Sequence, residues 1–184
     1  SEQRLLAETS KGWEVGLRMG TPDQQITATW FSQDISNEIY FDLSGYSGYL
    51  QRQGDNKSEG LELEGIAALS PQLSVKGNVT FNRTEDALGN QRPYRPELTA
   101  AVSLTWQNAW LTASFTGRHT QSVVDTEGEP IADYTLLDSS FAVNVSDSLQ
   151  LTARIENITN ETYQQIQGYF SAHRTWYLGL RYQY

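Results

Sequence analysis

Apolar and polar side chains alternate with a period of two along most of this chain, and this pattern limits the possible folds more than any other feature. In the last segment, one set of alternating positions holds Trp176, Leu178, Leu180, Tyr182 and Tyr184. The positions between them hold Thr175, Tyr177, Gly179, Arg181 and Gln183. Because successive side chains of a strand point to opposite faces, the alternation predicts strands with one apolar and one polar face.

The alternation predicts an all-β chain of about nine strands. The expected strands lie near 10–20, 24–41, 57–69, 73–85, 97–107, 110–121, 134–146, 149–157 and 174–184. The segment 1–10 is short and lacks a repeating apolar stripe, so it is interpreted as the end of a loop rather than as a helix.

The predicted connections alternate between short and long. The short ones are rich in turn-forming residues: Thr21-Pro22-Asp23, Ser70-Pro71-Gln72, Asn108-Ala109 and Asp147-Ser148. The long ones are polar and lie near 42–56, 86–96, 122–133 and 158–173. All short turns should therefore lie at one end of an antiparallel sheet and all long loops at the other, as the periplasmic turns and extracellular loops of transmembrane β-barrels do.

Composition excludes several other classes of protein. The chain has no Cys and a net charge of -9, which argue against disulfides and thiol chemistry and against a nucleic-acid partner. No apolar run approaches the roughly 20 residues of a membrane helix. The two His, His119 and His173, and the Ser and carboxylate residues show no spacing typical of a triad or a metal site, so we expect no enzyme, metal or cofactor.

A soluble carbohydrate-binding β-sandwich would also alternate, and it is the main alternative to a membrane barrel. Strands of about ten residues, neutral polar faces and tryptophans near strand ends favour the barrel. Those tryptophans are Trp13, Trp30, Trp106, Trp110 and Trp176. The two folds make opposite predictions, because a sandwich would pack Phe81, Leu104 and Leu178 in a dry core.

An odd number of strands creates a problem of closure. With nine antiparallel strands, the first and the last run in the same direction, whereas bacterial single-chain barrels close with an even number. Two explanations are open. Either the predicted number of strands is wrong by one, and the chain is a self-contained porin-like or adhesin-like barrel of about eight to ten strands, or further strands complete the barrel.

Several motifs, taken in order, resemble the C-terminal part of the barrel of TonB-dependent outer-membrane receptors. They are Trp13-Glu14-Val15-Gly16, the 57–64 run with Gly60, Glu62 and Glu64, Arg92-Pro93 with Pro96, the 153–163 run with Asn157 and Tyr163, Gly168-Tyr169, Arg174, and Tyr182-Gln183-Tyr184. Ile158, Asn160 and the terminal Tyr184 are mild departures from the family pattern.

This resemblance implies that residues 1–184 supply the last nine strands of a 22-stranded barrel in the bacterial outer membrane. The earlier strands, and a plug domain that contacts a TonB-type energy transducer, would be absent from this chain. The family imports scarce nutrients, and the last loop is similar to that of cobalamin receptors, with a ferric siderophore, haem or an oligosaccharide as the alternatives. Membrane lipid and the barrel-assembly machinery are further implied partners, and the latter would read Trp176, Leu178, Leu180, Tyr182 and Tyr184.

Two sets of residues are candidates for function. Aromatic and cationic residues on the long loops suit binding of a small-molecule nutrient: Tyr46, Tyr49, Arg52, Arg92, Tyr94, Tyr163, Tyr169 and His173. Charges on the predicted lumen face are Glu14, Arg18, Glu62, Glu64, Lys76, Arg154, Glu156 and Arg181. Their mixed signs favour a hydrated ion-pair network over steering of a charged substrate.

Overall fold

A computed structural model describes residues 5–41, 45, 48–52 and 54–184. These ranges form fifteen strands and no helix: β1 (Thr9–Thr21), β2 (Gln24–Ser36), β3 (Ile39–Phe41), β4 (Tyr49–Gln51), β5 (Asp55–Ala68), β6 (Leu73–Glu85), β7 (Leu98–Gln107), β8 (Leu111–Gln121), β9 (Val123–Val124), β10 (Pro130–Ile131), β11 (Tyr134–Ser146), β12 (Leu149–Glu156), β13 (Gln164–Ile166), β14 (Tyr169–Phe170) and β15 (Thr175–Tyr182). In the described part of the chain, no helix is long and apolar enough to cross a membrane.

Nine of these strands build one antiparallel sheet, in the order β1-β2-β5-β6-β7-β8-β11-β12-β15. Each strand pairs with its sequence neighbour in the sheet, so the predicted nine-stranded meander is confirmed. The other six strands form three two-stranded hairpins, β3-β4, β9-β10 and β13-β14, within the long connections.

The predicted strand 24–41 is wrong at its end. The chain leaves the main sheet after Ser36, and Asn37 adopts a left-handed conformation with φ of 60°. Ile39–Phe41 then pairs with Tyr49–Gln51 in the first small hairpin instead of continuing β2. The apolar run Ile39–Phe41 follows β2 after only two residues, so the sequence pattern did not show where β2 ends.

The short turns after β5 and β7 are stabilised by their own side chains. The Ser70 hydroxyl accepts hydrogen bonds from the backbone N–H of Gln72 (3.2 Å) and Leu73 (3.0 Å). Asn108 Oδ1 accepts from the N–H of Trp110 (3.0 Å) and Leu111 (2.9 Å). Such local bonds replace the strand pairing that a turn interrupts. All four short turns lie at one end of the sheet, as predicted.

The sheet has one apolar and one polar face, and its apolar face is uncovered. The register aligns Trp30, Leu61, Phe81 and Leu98 on four successive strands. Phe81, Leu104 and Leu178 are 46%, 41% and 87% exposed. The dry core that a β-sandwich requires is therefore not formed by these residues, and that alternative is wrong.

The band of large apolar side chains crosses the sheet obliquely. On the side away from the short turns, the band begins at Trp13 on β1 and at Trp176 on β15. The paired residues of successive strands, however, connect Trp176 to Thr21, which lies eight residues after Trp13. At ~3.3 Å per residue and ~4.8 Å between strands, the two ends of the band lie at the same height along a barrel axis only if the strands tilt by about 35° from that axis. Strands of transmembrane barrels tilt by about 35–45°.

Gly60 is required by a close approach inside the sheet. A Cβ atom at this position would lie 2.2 Å from the Phe81 carbonyl oxygen and 2.6 Å from Cζ of Phe31. At Gly65 in the same strand, the nearest atom would be the Gln25 oxygen at 3.8 Å. The aromatic ring of Phe31 therefore lies against the backbone where the 57–64 motif has its glycine.

We expect Gly60→Ala to destabilise the protein by about 1–3 kcal/mol, because the phenyl ring and the backbone of β6 must both move. Gly65→Ala is the matched control and should leave stability nearly unchanged. The measurement is the thermal unfolding midpoint of the full-length protein in detergent. Equal midpoints for the two variants would contradict the packing described for Phe31.

Candidate functional site

The four long connections, 37–54, 86–97, 122–133 and 157–174, lie together at the end of the sheet opposite the short turns, and we call them the loop rim. Neighbouring connections are joined by specific contacts. The Tyr94 N–H donates to the Val124 carbonyl (2.8 Å), and the Gln91 side chain donates to the Ser122 carbonyl (2.7 Å). These bonds join the second and third connections, the Glu38–Arg92 ion pair joins the first and second, and β10 of the third contacts β13 of the fourth. The loop rim is therefore one linked structure rather than four separate loops.

Glu38 joins the first two connections of the loop rim. Its carboxylate forms an ion pair with Arg92, whose side chain is 14% exposed, and lies 3.8 Å from Nε of Arg52. Asn56, which is 2% exposed, donates to Oε2 of Glu38 at 2.6 Å. A largely buried carboxylate needs such partners, because an unpaired charge is costly away from water. We call Glu38, Arg52, Asn56 and Arg92 the Glu38 cluster.

Asp86 organises the start of the second connection. Its Oδ1 accepts hydrogen bonds from the backbone N–H of Leu88 and Asn90, both at 2.9 Å. Burial raises the pKa of this carboxyl, but the bonds from Asn90 and Leu88 and the charge of Arg52 outweigh burial and hold the pKa below its usual value. Arg52 also lies over the ring of Tyr40, 4.9 Å from its centroid. Arg52 therefore interacts with Tyr40 of the first connection and with Asp86 of the second.

Asn157 holds the last connection in place. It is 4% exposed and adopts a φ of 53°. Its side chain accepts from the Glu161 N–H (2.8 Å) and donates to the carbonyls of Glu161 (2.8 Å) and Ala172 (3.4 Å). Its own N–H donates to Oδ1 of Asp138 at 2.9 Å. The asparagine of the 153–163 motif therefore shapes the backbone of the loop.

The structure divides the eight loop candidates into two groups. Arg52 and Arg92 contact Glu38 through their side chains, and Tyr94 is held by its backbone N–H. The Tyr163 ring contacts that of Tyr134 on β11, tilted by 38° with ring centroids 4.6 Å apart. Tyr49, Tyr169 and His173 present exposed side chains, and Tyr49 and Tyr169 are 67% and 73% exposed. Tyr46 lies outside the described residues. Surface for a ligand is therefore offered by the second group, together with the exposed neighbour Phe170.

All eight predicted lumen-face charges lie on one face of the sheet, opposite the apolar band. The pairing of neighbouring strands places the following residues on this face: Glu14, Arg18, Glu62, Glu64, Lys76, Arg154, Glu156 and Arg181. Arg154 and Glu156 form an ion pair at 3.4 Å, and Arg154 lies 4.2 Å above the Tyr177 ring. Arg118 and Asp138, on the same face, form a second pair at 2.5 Å. No ion pair joins the other six of the eight in the part of the chain described, so they form no continuous network.

Sequence reasoning missed two acidic residues that hold parts of the rim in place, Glu38 and Asp138. Glu38 fell inside the predicted strand 24–41, and Asp138 lies in β11. The signal for Glu38 was the preceding Asn37, since asparagine tolerates a positive φ. In the described ranges, no three His, Cys, Asp or Glu side chains come close enough to hold a metal ion.

A single antiparallel layer with an exposed oblique apolar band, short turns at one end and a linked loop rim at the other defines a wall segment of a transmembrane β-barrel. The family model for the TonB dependent receptor-like β-barrel matches residues 3–158. The chain therefore belongs to the β-barrel of the TonB-dependent receptor family.

Known relatives agree with this membership. The chain is 36% identical over 169 residues to the vitamin B12 transporter BtuB of Vibrio cholerae, and 25% identical over 194 residues to that of Vibrio vulnificus. These matches cover 85% and 98% of this chain but 26% and 30% of the relatives, so the chain spans less than a third of their length. The structure of the copper transporter OprC shares the fold, with a TM-score of 0.83 at 16% identity over 98% of this chain and 32% of that one.

Proposed function

We propose that this chain is the C-terminal part of the barrel wall of a bacterial outer-membrane receptor that binds and imports a scarce nutrient with TonB-transduced energy. The oblique apolar band carries the proposal, because it becomes a level belt only when the strands cross a bilayer at a tilt. Energy coupling would pass through a plug domain, which is outside residues 1–184.

The two faces would then meet different surroundings. Lipid acyl chains would cover the apolar band, including Trp176, Leu178, Leu180 and Tyr182, which are all exposed. With Tyr184, these residues form the aromatic C-terminal pattern that we propose the barrel-assembly machinery reads. The eight charges of the polar face would line a hydrated lumen and face the plug.

The direction of the edge strands supports a larger barrel. β1 runs into the short turn at 22–23, and β15 leaves the long connection 157–174, so both run toward the turn end. Pairing β1 with β15 would therefore be parallel. Antiparallel closure needs an odd number of further strands, which the remainder of the same barrel would supply, and this weighs against a self-contained small barrel.

The nutrient we propose is a corrinoid of the cobalamin class, with a ferric siderophore as the second candidate. The 36% identity to a vitamin B12 transporter supports the first. The exposed aromatic residues Tyr49, Tyr169 and Phe170 suit a large, flat or macrocyclic ligand. The test is equilibrium binding of cyanocobalamin and of ferric enterobactin to the full-length protein, side by side. Binding of neither ligand would contradict the proposed nutrient class.

We expect Tyr169→Ala to weaken cyanocobalamin binding by about tenfold or more, because an exposed aromatic contact at the centre of a site contributes about 1.4 kcal/mol or more. Trp110→Ala is the matched control, since it removes an exposed aromatic side chain at the opposite end of the sheet. Equal losses in both variants would show that Tyr169 affects stability and not ligand contact.

A further inference from the structure

Where the apolar band ends on β1, β2, β5 and β6, the same face carries charges of alternating sign. The register places Lys11 opposite Asp34, Asp34 opposite Lys57, and Lys57 opposite Glu85. One step nearer the band, Glu59 lies opposite Arg83. We call these residues the charged belt: Lys11, Asp34, Lys57, Glu59, Arg83 and Glu85.

The charged belt is accessible and continuous with the apolar band. Five of its six side chains are exposed, and Glu85, which pairs with Arg83 at 2.6 Å, is half-buried. A cleft of about 450 Å³ joins the two zones. Its lining includes Trp30, Leu61 and Phe81 from the band and Glu59 and Arg83 from the belt. A molecule with an apolar part and a charged part could therefore occupy both zones at once.

The opposite edge of the band differs in chemistry. There the strands end on the apolar face in uncharged side chains, Gln24, Trp106, Leu149 and Tyr182, and the turns beyond carry Asp23 and Asp147 but no cation. Opposite charges that served only to stabilise neighbouring strands could lie at either edge. The restriction of such facing charges to the edge beside the loop rim points to an asymmetric surrounding medium.

We propose that the charged belt and its cleft bind the phosphorylated headgroup of a membrane lipid together with a divalent cation. Ammonium and guanidinium groups of Lys11, Lys57 and Arg83 bind phosphate oxygens. The interleaved carboxylates would repel phosphate by themselves. Mg²⁺ is commonly held by one or two carboxylates plus phosphate oxygens, so a bridging cation makes both signs of charge favourable. This inference rests on the proposed function only in that the apolar band faces lipid.

The test uses the full-length protein in detergent with Mg²⁺ and measures bound lipid by native mass spectrometry. The probes are lipid A and its dephosphorylated form. We expect the unaltered protein to prefer lipid A by about tenfold or more, and the triple variant Lys11→Gln, Lys57→Gln, Arg83→Gln to lose that preference. The control Arg18→Gln, Lys76→Gln, Arg181→Gln makes the same change in charge on the polar face and should keep it. Chelation of Mg²⁺ should reduce the preference of the unaltered protein.

Equal binding of the two lipids by the unaltered protein would overturn the proposal, as would a preference that survives in the belt variant. Displacement of lipid A by an equal concentration of inorganic phosphate would also overturn it, because the belt would then recognise free phosphate. If the triple variant fails to fold, Arg83→Gln alone should show a smaller loss of the same sign. Cyanocobalamin binding by the belt variant, measured in parallel, should be unchanged. If neither the unaltered protein nor its variants bound cyanocobalamin, but the unaltered protein still preferred lipid A, the proposed nutrient would be rejected and the proposed lipid site would stand.

Discussion

Asn157→Ala should accelerate hydrogen–deuterium exchange over residues 157–164 by about 30-fold or more, equivalent to about 2 kcal/mol of local stability. The substitution removes the acceptor of the Glu161 N–H and the donor to the Glu161 and Ala172 carbonyls. It also places alanine at a φ of 53°, which costs about 1 kcal/mol or more. The measurement is exchange by mass spectrometry on the full-length protein.

Two further variants separate these contributions. Asn157→Gly tolerates the positive φ but loses the side-chain bonds, so its acceleration should be smaller, about fivefold for the remaining ~1 kcal/mol. Asn157→Asp keeps the acceptor for the Glu161 N–H and should show an intermediate effect. Asn78→Ala, an exposed position in β6, is the control and should leave the exchange of 157–164 unchanged. Slow exchange in Asn157→Ala would mean that the loop backbone is held by other contacts.

Glu38→Gln should expose the first connection to trypsin and raise the rate of cleavage after Arg52 by about tenfold or more. The substitution leaves Arg92, with a side chain only 14% exposed, without its counter-charge. Breaking a largely buried ion pair by removing one partner costs about 3–5 kcal/mol when the other stays buried, so the two connections are expected to separate. The readout is the cleavage rate of the folded full-length protein.

The double variant Glu38→Gln, Arg92→Gln tests whether the effect is pairwise. It removes both charges, so its cleavage should be slower than that of Glu38→Gln alone. Glu127→Gln, an exposed glutamate in the third connection, should behave like the unaltered protein. If the double variant were cleaved faster than either single variant, Glu38 and Arg92 would act independently, and the Glu38 cluster would not be what joins the two connections.

Local sequence patterns were sufficient for the strands and their faces. The alternation around Phe81, Leu104 and Leu178 predicts an apolar face in any register, because the side chains of a strand alternate whatever its neighbour is. The turn residues Ser70 and Asn108 likewise act on the backbone two or three positions away. Such features depend on contacts close in sequence, and they were predicted correctly.

The linked loop rim was not predictable in the same way. Glu38 and Arg92 are 54 residues apart and meet only because β2 and β6 both neighbour β5 in the sheet. The apolar residues 39–41 follow β2 after only two residues, and the left-handed turn at Asn37 separates the two strands. Arg52, Arg92 and Tyr163 are good binding residues by type, but contacts within the rim engage them, which leaves the exposed Tyr49, Tyr169 and His173.

The alternation of apolar and polar residues was therefore enough to identify a wall of antiparallel strands with one apolar and one polar face, because alternation is a local property of the chain. The oblique course of the apolar band and the charges at one of its edges became visible only in the folded chain. The same holds for which rim residues remain exposed. These properties depend on the register between strands, since hydrogen bonds between distant segments determine which side chains become neighbours.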